Sequence, residues 1–147
     1  MFRELKEDDK EAFISMVKEF YISDAVLHTI PESNIINTFQ EALSKSPYMK
    51  AYIVEHKKDM AGYGLISLTY SNEVGGLVVW LEELYIKDGY RGLGLGGEFL
   101  DFIKSKYSKR AKRFRLEISE ANIGISELYR GKGYKTLDYI QMVQDPS

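Results

Sequence analysis

The sequence predicts an α/β domain, and three observations carry that prediction. Apolar runs of strand-like composition alternate along the chain with segments whose apolar residues recur at helical spacing. A glycine-rich turn, Tyr90 to Gly97, stands between an apolar strand-like segment, Leu77 to Ile86, and an amphipathic helical one, Glu98 to Tyr107. No linker, repeat or low-complexity stretch divides the 147 residues, which predicts one domain over 1–147 with room for a proper core.

The elements follow in order. Phe2 to Leu5 alternates as a short strand. Glu7, Asp8 and Asp9 then open a helix whose apolar positions include Phe13, Ile14, Val17 and Phe20. A loop with His28 and Pro31 leads to a second helix, Glu32 to Ser44, carrying Ile35, Ile36, Phe39 and Leu43, and Pro47 punctuates its end. Tyr48 to Glu55 and Met60 to Tyr70 read as strands joined by the polar turn 56–59, and a second turn, 71–76, leads into the strand 77–86. After the glycine turn come a helix over 98–108, a strand over 112–118, a helix over 123–131 and a final strand, Tyr134 to Val143. The predicted order is β-α-α-β-β-β-α-β-α-β.

The run Tyr90-Arg91-Gly92-Leu93-Gly94-Leu95-Gly96-Gly97 is the most informative stretch. A turn of this kind before a helix leaves backbone N–H groups free of side chains, and it binds an anion such as a pyrophosphate. Glycine accepts positive φ without steric cost and lets a ligand approach the backbone. Arg91 adds a fixed positive charge at the mouth of the turn. Gly92-x-Gly94-x-x-Gly97 formally satisfies the dinucleotide fingerprint, and Glu117 lies near the distance of a ribose-binding acid. That fold needs several further βα units beyond its first glycine turn, and the chain after Gly97 is too short for them.

The other template is Arg/Gln-x-x-Gly-x-Gly/Ala, which Arg91-Gly92-Leu93-Gly94-Leu95-Gly96 satisfies. Further on, Asn122-x-x-Ile125-x-x-Leu128-Tyr129-x-x-x-Gly133-Tyr134 resembles the signature Asn-x-x-Ala-x-x-Leu-Tyr-x-x-x-Gly-Phe/Tyr. Both are motifs of the GNAT superfamily, the acetyl-CoA-dependent N-acetyltransferases, and here they stand in that family's order and spacing. One departure is Ile125, where a small residue is commoner.

The resemblance implies the GNAT fold, a mixed central sheet with a V-shaped cofactor cleft, and acetyl-CoA as cofactor. By that match, backbone groups of Leu84 and Ile86 pair with the pantetheine arm. The turn from Arg91 through Gly92, Leu93, Gly94, Leu95, Gly96 and Gly97 holds the pyrophosphate, and Asn122 contacts the cofactor arm. As a residue on its own, Asn122 also reads as a helix N-cap. Tyr129 is the implied proton donor to the departing sulfur; a phenol with a reference pKa of about 10 is protonated at neutral pH.

Trp80-Leu81-Glu82-Glu83-Leu84-Tyr85-Ile86 resembles the Tyr-Leu-Glu-Asp-Phe-Phe-Val strand of the spermidine/spermine-type acetyltransferases. The match makes Glu82 the water-mediated base and Glu83 the amine-binding partner. A primary amine has a reference pKa of about 10.4, so deprotonating it at pH 7 costs roughly 4–5 kcal/mol and gives a base a purpose. Adjacent strand residues point to opposite faces, so both glutamates reach one cleft only if a bulge intervenes. The expected acceptor is a small cationic amine of the diamine or polyamine kind. The alternatives are a protein lysine or N-terminus, and a non-catalytic acyl-CoA-binding module that would dispense with Glu82 and Tyr129.

Composition excludes other chemistries. Without cysteine there is no thiol nucleophile and no disulfide framework, and two distant histidines, His28 and His56, give no expected metal site. The net charge of −2 gives no expectation of nucleic acid. The basic stretch Lys104 to Arg115 reads as a solvated face at a helix C-terminus. His28, with Tyr21 and Asp24 before it, reads as incidental. No run approaches the ~20 apolar residues of a membrane span, and the charged N-terminus is unlike a secretory signal. The expected location is cytoplasmic. Monomer and homodimer stay open.

Overall fold

The computed structural model describes residues 1–146. Five strands form one sheet in the order β1-β2-β3-β4-β5: Phe2–Glu4, Met49–His56, Asp59–Ser71, Gly76–Ile86 and Ala111–Leu116. The first three pairings are antiparallel and β4 pairs β5 in parallel, so the sheet is mixed. Helices cover both faces. On one face α1 (Lys10–Phe20) and α2 (Glu32–Leu43) bury Phe13, Val17, Phe20, Ile35 and Phe39 against Tyr63, Leu65 and Tyr85. On the other, α3 (Leu95–Tyr107) and α4 (Ser126–Gly131) bury Phe99, Leu100, Ile103 and Tyr129 against Ile66, Val79 and Leu81.

The predicted helices and first five strands are present, with shifted ends. α3 starts at Leu95, inside the glycine run, because Gly94 at φ +80° turns the chain directly into the helix. The predicted helix over 123–131 divides into a 3-10 segment, Glu120–Ile125, and the short α4, with a kink at Asn122. The predicted strand Tyr134 to Val143 is corrected: residues 134–146 have no regular structure, and β5 is the edge of the sheet. Side-chain preference for a pleated, half-buried surface makes that segment look like a strand. Its main-chain hydrogen bonds are local, from the Tyr134 N–H to the Tyr129 carbonyl and from the Tyr139 N–H to the Leu137 carbonyl, both at 3.0 Å; no described strand pairs with it, and Ile140, Met142 and Val143 are exposed.

Two irregularities position the site. Pairing between β4 and β5 stops at Leu81 and Leu116, where β5 ends, while β4 runs on to Ile86, which leaves an open wedge beside the last residues of β4. Within β4, Glu83 faces Leu65 and Leu81 faces Ile66, which leaves Glu82 as an extra residue in a bulge. The bulge exchanges the faces of the strand. Val79 and Leu81 pack toward α3, whereas Tyr85 packs toward α1 and α2.

Candidate active site

The wedge leaves main-chain groups free. Lys87 donates its N–H to the Ala61 carbonyl at 2.8 Å. Successive residues of an antiparallel strand bond to opposite edges, so Leu84 and Ile86 turn their N–H and C=O groups to the open, β5 side. Arg91 Nε donates to the Ile86 carbonyl at 2.9 Å, and its guanidinium pairs with Asp88 at 2.7 Å. At the end of the wedge, Gly92 (φ +79°) and Gly94 (φ +80°) adopt the left-handed region, and a Cβ on either would meet nothing within 4 Å. Glu98 is the first α3 residue whose N–H finds a helical acceptor, the Gly94 carbonyl at 3.0 Å. The N–H groups before it stand at the positive end of the helix dipole.

These pieces share one cavity of about 720 Å³. Leu84, Ile86, Arg91, Gly92, Gly94, Leu95, Gly96, Gly97 and Asn122 all line it, together with Ser23, Asp24 and Ala25 of the α1–α2 loop. Leu93 does not; it is 49% exposed. Asn122 lines the groove but does not cap α4, whose N-cap position is Ile125. The Ser119 hydroxyl donates to the Asp24 carbonyl at 2.7 Å, tying the α1–α2 loop to the segment before Asn122.

The bulge places both glutamates on the face of α1 and α2. Glu82 is exposed and accepts a hydrogen bond from Ser67 at 2.7 Å. Glu83 is held by two phenols: Tyr21 donates to one oxygen at 2.5 Å and Tyr63 to the other at 2.8 Å. Burial raises the Glu83 carboxyl above the usual range, the two tyrosine hydrogen bonds oppose that, and the neighbouring Glu82 charge adds to it. Tyr85, whose hydroxyl donates to Glu19, is pushed up to about 12, chiefly by burial, and its ring lies under the Arg91 guanidinium at 5.9 Å. Thus β4 links the glycine turn to the carboxylates within one strand.

Tyr129 is not brought to the groove. It is 8% exposed, packs on Tyr134 at 5.9 Å, and lines a second cavity of about 600 Å³ with Phe114 and Leu116. Its neighbour Leu128 lines the groove. Burial raises the Tyr129 hydroxyl, which keeps it protonated at neutral pH.

Sequence reasoning missed Tyr21, Tyr63 and Ser67. Tyr21 follows α1 directly and read as incidental, and nothing in the sequence singled out Tyr63 or Ser67. A usable signal was the alternation Tyr63-Gly64-Leu65 opposite Glu83-Leu84-Tyr85, but it reads only once the register is known.

Residues 6–134 match the family model of the acetyltransferase (GNAT) family. The chain belongs to that family. Its N-acetyltransferase activity and its acyl donor, acetyl-CoA, go with membership. A curated relative from Sus scrofa, thialysine N-epsilon-acetyltransferase, is 26% identical over 151 residues, covering 93% of this GNAT chain and 85% of the relative. A possible acetyltransferase from Clostridium difficile 630 superposes with a TM-score of 0.85 at 15% identity, covering 100% and 97% of the two chains. A predicted acetyltransferase from Clostridium acetobutylicum, solved with acetyl-CoA, gives 0.76 at 18% identity over 98% and 95%. These likenesses show that the GNAT fold is shared. Among the described residues, no helix is long and apolar enough to cross a membrane and no group of three or more His, Asp or Glu could hold a metal ion.

Proposed function

We propose that this GNAT enzyme acetylates the primary amine of a small cationic acceptor, diamine-like or polyamine-like, by direct attack. The observation that carries the reading is the bulge at Glu82, which sets two carboxylates on one face beside the open wedge. The thialysine acetyltransferase among its relatives points to a similar acceptor, an amine on a small molecule. Acetyl-CoA, when bound, supplies an activated thioester.

The chain's residues divide the remaining work. The unbonded N–H groups from Gly92 to Gly97, with Arg91, hold the pyrophosphate, and the exposed main chain of Leu84 and Ile86 takes the amide-bearing arm as an added strand. Asn122 contacts that arm from the opposite wall. Glu83 takes the proton of the attacking amine and Glu82 holds the ammonium, the reverse of the assignment the strand resemblance implies. The support is environmental: Glu83 is half-buried and its pKa is raised by burial, which makes it a better base than the exposed Glu82.

Tyr129 donates a proton to the departing sulfur. The support is the Leu128-Tyr129-x-x-x-Gly133 match; the side chain itself lines the second cavity, with Leu116, the last residue of β5. Tyr129→Phe is expected to lower turnover by about one to three orders of magnitude with little change in CoA affinity, since general-acid help is worth ~10²–10⁴ and a thiolate leaves readily. Wild-type turnover in that variant would reduce Tyr129 to a packing partner of Tyr134. A cytoplasmic location, one domain over 1–147, and no nucleic-acid or membrane partner belong to the same proposal.

An amine panel with CoA release as the readout tests the acceptor class. Diamines and polyamines should turn over faster than aromatic or acidic amines. Preference for neutral or acidic amino compounds would overturn the reading.

A further inference from the structure

Three cations of the basic stretch, Lys104 on α3 and Arg113 and Arg115 on β5, line the cavity of about 600 Å³ that holds Tyr129. Arg130 of α4 lines it too, as do Lys132 and Lys135 just beyond that helix. Among the described residues Asp101 is the one acid on this lining. Lys132 pairs with Asp101 at 2.8 Å, and Arg113 pairs with Glu73 at 2.6 Å, where the Arg115 charge also acts. That leaves Lys104, Arg130 and Lys135 without an acidic partner among the described residues. Arg130 is set on the wall by a hydrogen bond to the Thr136 hydroxyl at 3.2 Å. The floor is apolar, with Phe114, Leu116 and Ile118 half-buried beside the buried Leu100. Tyr129, 8% exposed, brings a hydroxyl that meets no hydrogen-bond partner among the described residues. This lining and that of the glycine-turn groove share no residue.

We infer that this second cavity is a binding site for a small amphipathic anion, an aromatic or apolar body that carries a phosphate or an equivalent dianionic group. Charge decides the sign. Cations gathered over low-dielectric walls concentrate anions, and the crowding of like charges is relieved when a dianion sits among them. Arg130 presents a fork of donors that fits a phosphate, and Lys104 and Lys135 add point charges. The floor decides the rest. A bare inorganic anion leaves Phe114, Leu116 and Ile118 in water, whereas a flat apolar body covers them. A volume of about 600 Å³ lies within the ~300–1,000 Å³ of small-molecule pockets. An anionic oxygen also gives the Tyr129 hydroxyl the acceptor it lacks. Tyr129 is the one residue here with a proposed part in acetyl transfer, so occupancy is read as binding and not through turnover.

1-Naphthyl phosphate, 1-naphthol and inorganic phosphate separate the body from the charge and form the test. Each is titrated calorimetrically into protein already saturated with CoA, so that the glycine-turn groove is filled. 1-Naphthyl phosphate should bind at one site, about tenfold or more tighter than either of the others. The double variant Arg130→Gln, Lys135→Gln should weaken it by about tenfold or more, the scale of one charge-assisted hydrogen bond. Both side chains are exposed, so the fold and the affinity for CoA should stay as they are. Tyr129→Phe should weaken it severalfold, the scale of one neutral hydrogen bond. Exclusion of 1-naphthyl phosphate by CoA would assign these cations to the cofactor and overturn the inference. Inorganic phosphate binding as tightly, or an affinity that neither variant changes, would reduce the cavity to a general attraction for anions and overturn it as well. So would the absence of binding.

Discussion

Glu83→Gln should lower turnover by about 10²–10⁴, the usual worth of a general base, while the protein stays folded. Glutamine keeps the shape, and its amide can accept from one phenol and donate to the oxygen of the other, so Tyr21 and Tyr63 both retain partners. Only basicity is lost. The wild-type rate should fall as pH drops through the raised Glu83 pKa, and the variant should lose that acidic limb. Stability should move the other way. Burial penalises the ionised carboxylate, so the folded pKa exceeds the unfolded one. The neutral carboxyl's advantage is then present at low pH and lost as pH rises through the folded pKa. Melting temperatures of the variant should therefore gain on wild type as pH rises. A variant that turns over normally with the acidic limb intact would remove Glu83 from proton transfer.

Gly94→Asp should abolish CoA binding. At φ +80° the position suits glycine, but Asp and Asn tolerate this region better than other side chains, and the space around it is open, so the fold should survive. The new carboxylate would stand where the N–H groups at the start of α3 meet a pyrophosphate, cancelling the positive end of the helix. Gly94→Asn supplies the same shape without charge and should lose less affinity. Thermal shift reads the difference: ligand at 100 times its dissociation constant adds roughly 2.7 kcal/mol to wild type and should add nothing to Gly94→Asp. Unchanged CoA stabilisation in the Asp variant would show that the anion binds elsewhere.

The sequence by itself determined the parts of the protein whose physics is local. A glycine at positive φ, a strand before it and a helix after it are neighbours in the chain, so the run from Leu84 to Gly97 reads as an anion-binding turn without knowledge of anything distant. The same holds for Asn122 and Leu128, which a short segment carries into the groove. Helical and strand periodicities likewise placed four helices and five strands within a few residues of their positions.

Tertiary structure decided what depends on register and partners. The bulge at Glu82 exists because one extra residue of β4 opposes β3, and it alone sends Glu83 and Tyr85 to the same face as Glu82. Tyr21 and Tyr63 meet Glu83 across separations of 62 and 20 residues, and Arg115 meets Trp80 across the only parallel pairing among the described strands. The segment from Tyr134 to Val143 is the complementary case. Its side chains favour a strand, but a strand needs another chain segment to take its N–H and C=O groups, and composition does not state which segment that is.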